Sequence, residues 1–492
     1  MIKKYSYLSL LLSLCVLISI ATAFAQIEQT SAALKKVEQN IKFATLSNGL
    51  RVIIYPRPIA PVFSGVVLVR VGGSDEEPGL SGIAHMLEHM AFKGTKEIGV
   101  KDHQREAELL AKLESLVADK KDSPEWQATM EELRKLWITD QFTREYDKRG
   151  AVGLNAYTTS ELTAYYVDLP RSAFELWCYM ESERIINPVM RQFYEERDVV
   201  REERRMRFED DPEGKLYETM LSKAYTQHPY QKPVIGYDNE LKQLTATQVK
   251  DFHDQYYQPS EMVLSLAGDI DPKKDLPLLE KYFGRITQSD LKPKRPTQIE
   301  PKQKEQREFR LELGSNPQIM LAYHKPVFPD PADPIISVMA EVLAGSKLSP
   351  LSKLLIEDKK IAVSISTAEA PGNAYPNLLI FSLIPKAPFS NTELLAEFDA
   401  ALDNFKSDWN DVSLLENAKR SVAMSFLSNL KSNQGLALGL ASDLLTFGSY
   451  KASSEWFSQA MQVSVEQIRA AATEYLAKEN RTVGYLEAKK GK

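Results

Sequence analysis

The sequence predicts an α+β protein of two homologous domains, each a mainly antiparallel sheet packed with helices, with a helical hairpin inserted at about 101–149. Its 492 residues exceed what one hydrophobic core usually supports. Strand-like runs are mixed with helical ones, and the order of elements in the first half recurs in the second. Between the halves, residues 286–308 lose all apolar periodicity around Lys292-Pro293-Lys294-Arg295-Pro296 and read as a linker. The expected units are therefore a first domain over 26–285 and a second over 309–492.

The N-terminus carries Lys3 and Lys4, an apolar stretch from about Leu8 to Ile20, and Ala23-Phe24-Ala25. That combination describes a secretory signal peptide over residues 1–25. Its removal takes Cys15 with it and leaves Cys178 as the single thiol, so no internal disulfide is expected. Cys178 lies in an apolar setting and reads as a buried core residue rather than a nucleophile. No segment of the mature chain is long and apolar enough to span a bilayer. A net charge of −6 gives no basic footprint for nucleic acid. The expected location is across the inner membrane, in a periplasm.

From residue 43 the order is a strand, a Ser47-Asn48-Gly49 turn and a second strand to Tyr55, then a β-branched strand from Phe63 to Val71. After Pro78-Gly79, Ser81 to Lys93 reads as a helix. Leu109, Leu113 and Leu116, then Leu133 and Leu136, mark two amphipathic helices. Ser123-Pro124 starts the second of them, and the pair is expected to protrude with a solvated charged face. Strands follow at 154–158, 163–167 and 263–267. The second half repeats the order with strands at 318–323, 362–367 and 378–384, a helix near 335–343, and long helices thereafter.

The chemistry concentrates on the helix at 81–93. Residues three and four apart share a helical face, so His85, Glu88 and His89 project together. Two imidazoles can bind one zinc ion while the carboxylate beside them acts as general base on water. His-x-x-Glu-His is the inverted order of the common zincin signature. The remaining histidines, His103, His228, His253 and His324, lack comparable partners. A third ligand must come from elsewhere, and the acidic run Glu195 to Glu203 is the candidate. Positions seven apart lie about two turns on, so Glu195/Glu202 and Glu196/Glu203 both form same-face pairs. Spacing alone does not choose between them.

Leu80-Ser81-Gly82-Ile83-Ala84-His85-Met86-Leu87-Glu88-His89 continues to Met90-Ala91-Phe92-Lys93-Gly94-Thr95. Downstream stand Leu154-Asn155-Ala156-Tyr157-Thr158 with Glu161, Glu196 to Glu203, His228-Pro229-Tyr230 and Gly268-Asp269. This ordered series resembles the pitrilysin, insulinase and mitochondrial-processing-peptidase family, in its short two-domain branch. The resemblance implies a zinc endopeptidase in which His85, His89 and Glu203 hold Zn2+, Glu196 supports them from behind, and Glu88 activates water. It also implies that Asn155, Ala156 and Thr158 belong to an open sheet edge that takes an extended peptide or unfolded protein segment by strand addition. The His89-to-Glu203 interval is longer than in most relatives, and the hairpin accounts for the excess.

One departure matters. Active members of the short branch use an arginine and a tyrosine of the second domain to bind substrate and the tetrahedral oxyanion, and here Ile356 and Val363 stand in their places. Apolar side chains donate no hydrogen bonds to developing charge, and losing such donors costs about 10²-fold or more in rate. The resemblance implies a remedy: this chain is the metal-bearing subunit of a heterodimer whose homologous partner supplies the Arg/Tyr pair. The alternative is a non-catalytic clamshell subunit that assembles or holds peptides.

Overall fold

A computed structural model describes residues 26–120, 122–314 and 316–488, so the secretion signal expected over 1–25 lies outside the described residues. The first half forms a six-stranded sheet in the order β1-β2-β6-β3-β5-β4. Its strands are β1 (Lys42–Thr45), β2 (Arg51–Pro56), β3 (Val62–Val69), β4 (Val152–Thr158), β5 (Thr163–Pro170) and β6 (Met262–Gly268). The second half forms a five-stranded sheet, β7-β11-β8-β10-β9. These are β7 (Arg307–Glu312), β8 (Gln318–Lys325), β9 (Ala362–Ala370), β10 (Asn377–Pro385) and β11 (Arg481–Glu487).

Setting β1 aside, the two sheets share one topology. Each runs first-fifth-second-fourth-third in its own strand order, with the first and fifth strands parallel and the other neighbours antiparallel. The hairpin expected at the start is present, with Lys42 opposite Ile54 and Thr45 opposite Arg51. Gly49 closes its turn at φ +88°, a left-handed angle that glycine adopts without steric cost.

The strand β3 shows why its sequence lacks clean alternation. Val67 and Val69 face one side and Val66 and Leu68 the other, and all four are buried. The Val67 side packs against helices of the same half, through Met86, Leu87, Trp177, Val249 and Leu279. The Val66 side packs against helix Asn433–Phe447 of the second half, through Leu436, Leu440 and Leu444. The second sheet mirrors this: Met320, Ala322, Leu378 and Ile380 meet Leu216, Met220 and Leu221 of helix Pro212–Ala224, which belongs to the first half. Both travelling helices lie between the fourth and fifth strands of their own half. Each half thus lends one helix to the other's sheet.

The chain from 286 to 306 carries no helix or strand. It is nonetheless fastened along its course. Tyr256 donates to the Lys294 carbonyl at 3.1 Å, Arg295 pairs with Asp75 at 2.9 Å, and Gln303 donates to the Arg481 carbonyl at 2.7 Å.

The inserted hairpin comprises helices His103–Lys120 and Pro124–Leu136, the second capped by Ser123, whose hydroxyl accepts from Trp126 N. It does not protrude as expected. Leu109, Leu113, Trp126, Met130 and Leu133 join the first half's core. Glu106, fully buried, receives two bonds from Arg191 at 2.5 and 2.8 Å. Arg191 in turn donates to the carbonyls of Lys93, Thr95 and Ile98, so the hairpin is locked to the loop that follows the His-x-x-Glu-His helix.

Candidate active site

Helix Ile83–Met90 begins at Gly82, whose φ of +87° and close approach to the Ile235 carbonyl leave no room for a Cβ. With no side-chain cap there, the first N–H groups turn to a remote carboxylate. Glu76, buried, accepts from Gly82 N at 3.0 Å and from Ala84 N at 3.1 Å. A carboxylate at this end also complements the helix dipole. Ile83, Met86, Leu87 and Met90 face the core, which turns His85, Glu88 and His89 outward together. Sequence reasoning missed Glu76, because nothing in its spacing announces a cap from outside the helix.

Helix Phe193–Arg204 packs against this one and resolves which glutamates face the histidines. Glu195 pairs with Arg134 at 2.8 Å and Glu202 with Arg205 at 2.5 Å, both at exposed positions. Glu196 and Glu203 turn inward. Glu203 Oε2 lies 3.4 Å from His89 Nε2 and 3.9 Å from His85 Nε2. Glu196 Oε1 accepts from His89 Nδ1 at 3.0 Å, and its other oxygen pairs with Lys93 at 2.5 Å. Arg207, which sequence reasoning also missed, pairs with Glu203 Oε1 at 2.9 Å. Its position four residues beyond Glu203 was the signal available.

Among the described residues, His85, His89 and Glu203 form the one grouping with metal-ligand character, their donor atoms all within 4.8 Å of one another. Tetrahedral zinc with bonds near 2.0–2.1 Å spaces its ligands by about 3.3 Å. The Glu203–His89 edge already matches that spacing, and the longer His85 edge asks for a small inward movement. His85 Nδ1 is buried without a hydrogen-bond partner among the described residues. The donor set fits a zinc ion.

Burial, with the nearby His89 charge second, lowers His85 to about 4 and leaves its lone pair free at neutral pH. At His89 burial works the other way from the bonding partners, but Glu196 and Glu203 outweigh it and raise the ring to about 9. Burial raises Glu88 above the usual carboxyl range, against a 2.5 Å hydrogen bond from the Thr158 hydroxyl that favours its charged form.

Thr158 ends β4, the outer strand of the first sheet, paired on one side with β5. Asn155, Ala156, Tyr157 and Thr158 line a cavity of about 620 Å³ together with His85, Glu88, His89 and Glu203. From the second half only Pro371 reaches that cavity among the described residues. Ile356 packs against the second half's own core, and Val363 at the start of β9 is exposed. Cys178 is buried and its thiol is pushed up by burial, as suits a core residue.

A His-x-x-Glu-His helix crossed by a glutamate-bearing helix, in a duplicated pair of α+β halves, defines the inverted-zincin type of metallopeptidase scaffold. The chain belongs to the pitrilysin/insulinase family. The insulinase (peptidase family M16) model matches residues 51–114, and the peptidase M16 inactive domain matches 243–422. Zinc protease PqqE of Helicobacter pylori is 27% identical over 451 residues, 90% of this chain and 92% of its own. The zinc protease YmxG of Bacillus subtilis is 23% identical over 442 residues, 88% of this chain and 95% of its own. A solved Helicobacter pylori protease shares the fold with a TM-score of 0.78 at 25% identity, over 91% of this chain and 99% of that one. The periplasmic protease PqqL of Escherichia coli also shares it, with a TM-score of 0.70 at 18% identity, and this chain covers 47% of PqqL.

Proposed function

We propose that this chain is a zinc metalloendopeptidase in which His85, His89 and Glu203 hold the metal and Glu88 is the general base. The observation that carries this reading is the shared aim of Glu203 Oε2 and the two histidine Nε2 atoms, with Glu88 on the same helical face beside an open sheet edge. Zinc bound there supplies a Lewis acid for the scissile carbonyl and lowers the pKa of water toward about 7.

The remaining work falls to the chain's own groups. An extended peptide or unfolded segment pairs its backbone with β4 at Asn155 to Thr158, so affinity comes from main-chain bonds and the side chains are read loosely. Glu88 takes the proton of the attacking water and delivers it to the departing amine. Thr158 holds the carboxylate in line for that transfer. Glu196 fixes the His89 ring through Nδ1 so that Nε2 faces the metal.

The proposal includes a partner. Ile356 and Val363 offer no donors to the oxyanion, and of the second half only Pro371 reaches the cavity among the described residues. That supports a homologous subunit supplying an arginine and a tyrosine, with the pair working in a periplasm after secretion. The same observation favours, as a second reading, a clamshell subunit that holds peptides without cutting them.

The test combines metal analysis with hydrolysis of an unstructured peptide, by the wild type and Glu88→Gln, alone and with a paralogue bearing Arg and Tyr but no zinc motif. One zinc per chain is expected in both forms, with hydrolysis in the paired wild type and a loss of about 10²–10⁴-fold in Glu88→Gln. Full activity of the lone chain defeats the partner clause. Zinc without any Glu88-dependent cleavage, even when paired, selects the second reading.

A further inference from the structure

The three metal-facing groups of the candidate site are not held alike at their other ends. His89 Nδ1 is held by Glu196, which is itself held by Lys93. His85 Nδ1 has no hydrogen-bond partner among the described residues. Glu203 has two chemically equivalent oxygens, and one or both can turn toward the histidines.

Arg207 decides it. Its Nη2 takes Glu203 Oε1 at 2.9 Å, and the free oxygen, Oε2, is the one that faces both rings. The backbone holds the arginine there. Helix Phe193–Arg204 runs directly into a π-helical turn, Arg205–Glu209, closed by Asp210 N donating to the Arg205 carbonyl at 2.8 Å. The carbonyl of Arg207 lies so close to Gly214 that a Cβ on that glycine would sit 1.8 Å from it. Arg207 and Phe208 both line the cavity as a result. An ion pair of this kind, with the Arg207 side chain 67% exposed, contributes little to folding stability. Its effect is on aim.

We infer that Arg207 is a positioning residue for Glu203, keeping it a one-oxygen ligand and so preserving an open position for the reacting groups. This inference rests on the zinc reading proposed above. It makes a prediction opposite in sign to simple electrostatics. Removing a positive charge close to a cation site strengthens binding if charge alone matters, whereas losing an outer partner that orients a ligand weakens it by about 10–100-fold.

Zinc affinity is therefore measured on metal-stripped protein by competition with a chromophoric chelator, for wild type, Arg207→Met, Arg207→Lys and Arg205→Met. Arg205 pairs with Glu202 on the exposed side of the same segment, so its variant removes the same charge without touching the site. Melting temperatures check that all four fold. The expected result is affinity about 10–100-fold weaker in Arg207→Met, recovery of most of it in Arg207→Lys, and no loss in Arg205→Met. Unchanged or tighter binding by Arg207→Met, with wild type still taking up one zinc, overturns the positioning role and leaves the zinc reading intact. Absence of stoichiometric zinc in wild type overturns both.

Discussion

Glu88 and Thr158 lie 70 positions apart in sequence and 2.5 Å apart in space, and that contact joins the proposed base to the strand proposed to carry the substrate. Removing the hydroxyl while keeping the shape separates the two roles of β4. Thr158→Val is expected to retain zinc and to cut peptide with kcat lowered about 10–10²-fold, since a hydrogen bond to a charged group is worth about 1.5–3 kcal/mol. Steady-state kinetics with parallel metal analysis checks this, and an unaltered kcat refutes it. At this scale the sequence revealed unevenly. His85, Glu88 and His89 were legible because helical spacing alone places them on one face. The choice of Glu203 over Glu202 came from the family resemblance alone, because a two-turn interval fits both pairs and spacing does not select the face. Glu76 acquires its role from neighbours in three dimensions with no local pattern to mark it, and Arg207 is marked only by its spacing of four from Glu203.

At the scale of elements, strands and helices followed their apolar periods closely, from the hairpin β1–β2 to the helix Ala332–Ala344. The inserted hairpin is the exception that instructs. Its leucine spacing gave the right helices, but a glutamate buried within a charge run looks the same in sequence as one in water. Glu106 differs from its exposed neighbour Glu108 because it faces the core, where Arg191, far along the chain, and Trp137 Nε1 meet it. Breaking a buried pair leaves an uncompensated charge and costs about 3–5 kcal/mol. Glu106→Ala is therefore expected to lower the denaturation midpoint by a corresponding amount, and Glu108→Ala to leave it nearly unchanged. Urea titration of both variants decides the matter. Equal, small effects show that the hairpin is not locked through Glu106.

Across the whole molecule, the loop between β9 and β10 crosses to the first half and meets Glu161 in the turn after β4. Glu161 accepts from the Tyr230 hydroxyl and from the backbone N–H groups of Asn373 and Ala374. Burial raises it to about 7, helped by Asp75 and opposed by those donors. A carboxyl raised above its ordinary 4.5 binds its proton more tightly in the folded state. Its contribution is thus complete below about 4.5 and disappears as pH rises through about 7. Wild type is expected to lose melting temperature across that window more steeply than Glu161→Gln, as thermal scans from pH 4.5 to 8 will measure. Parallel slopes count against the contact as a titrating one. The duplicated order of elements was legible in the sequence, since both halves repeat it. The exchange of helices was not, because amphipathic spacing identifies an apolar face without saying which sheet will receive it.

That exchange sets a timetable for biosynthesis. As the chain emerges, Ile53, Val66, Leu68 and Val263 can assemble into a sheet, but the surface that covers them is written nearly 170 residues after the last strand of that sheet, at Leu436 to Leu444. This side of the first sheet therefore lacks most of its cover until Leu436 to Leu444 have been made. An apolar sheet face exposed for that interval is the kind of surface that a holding chaperone shields.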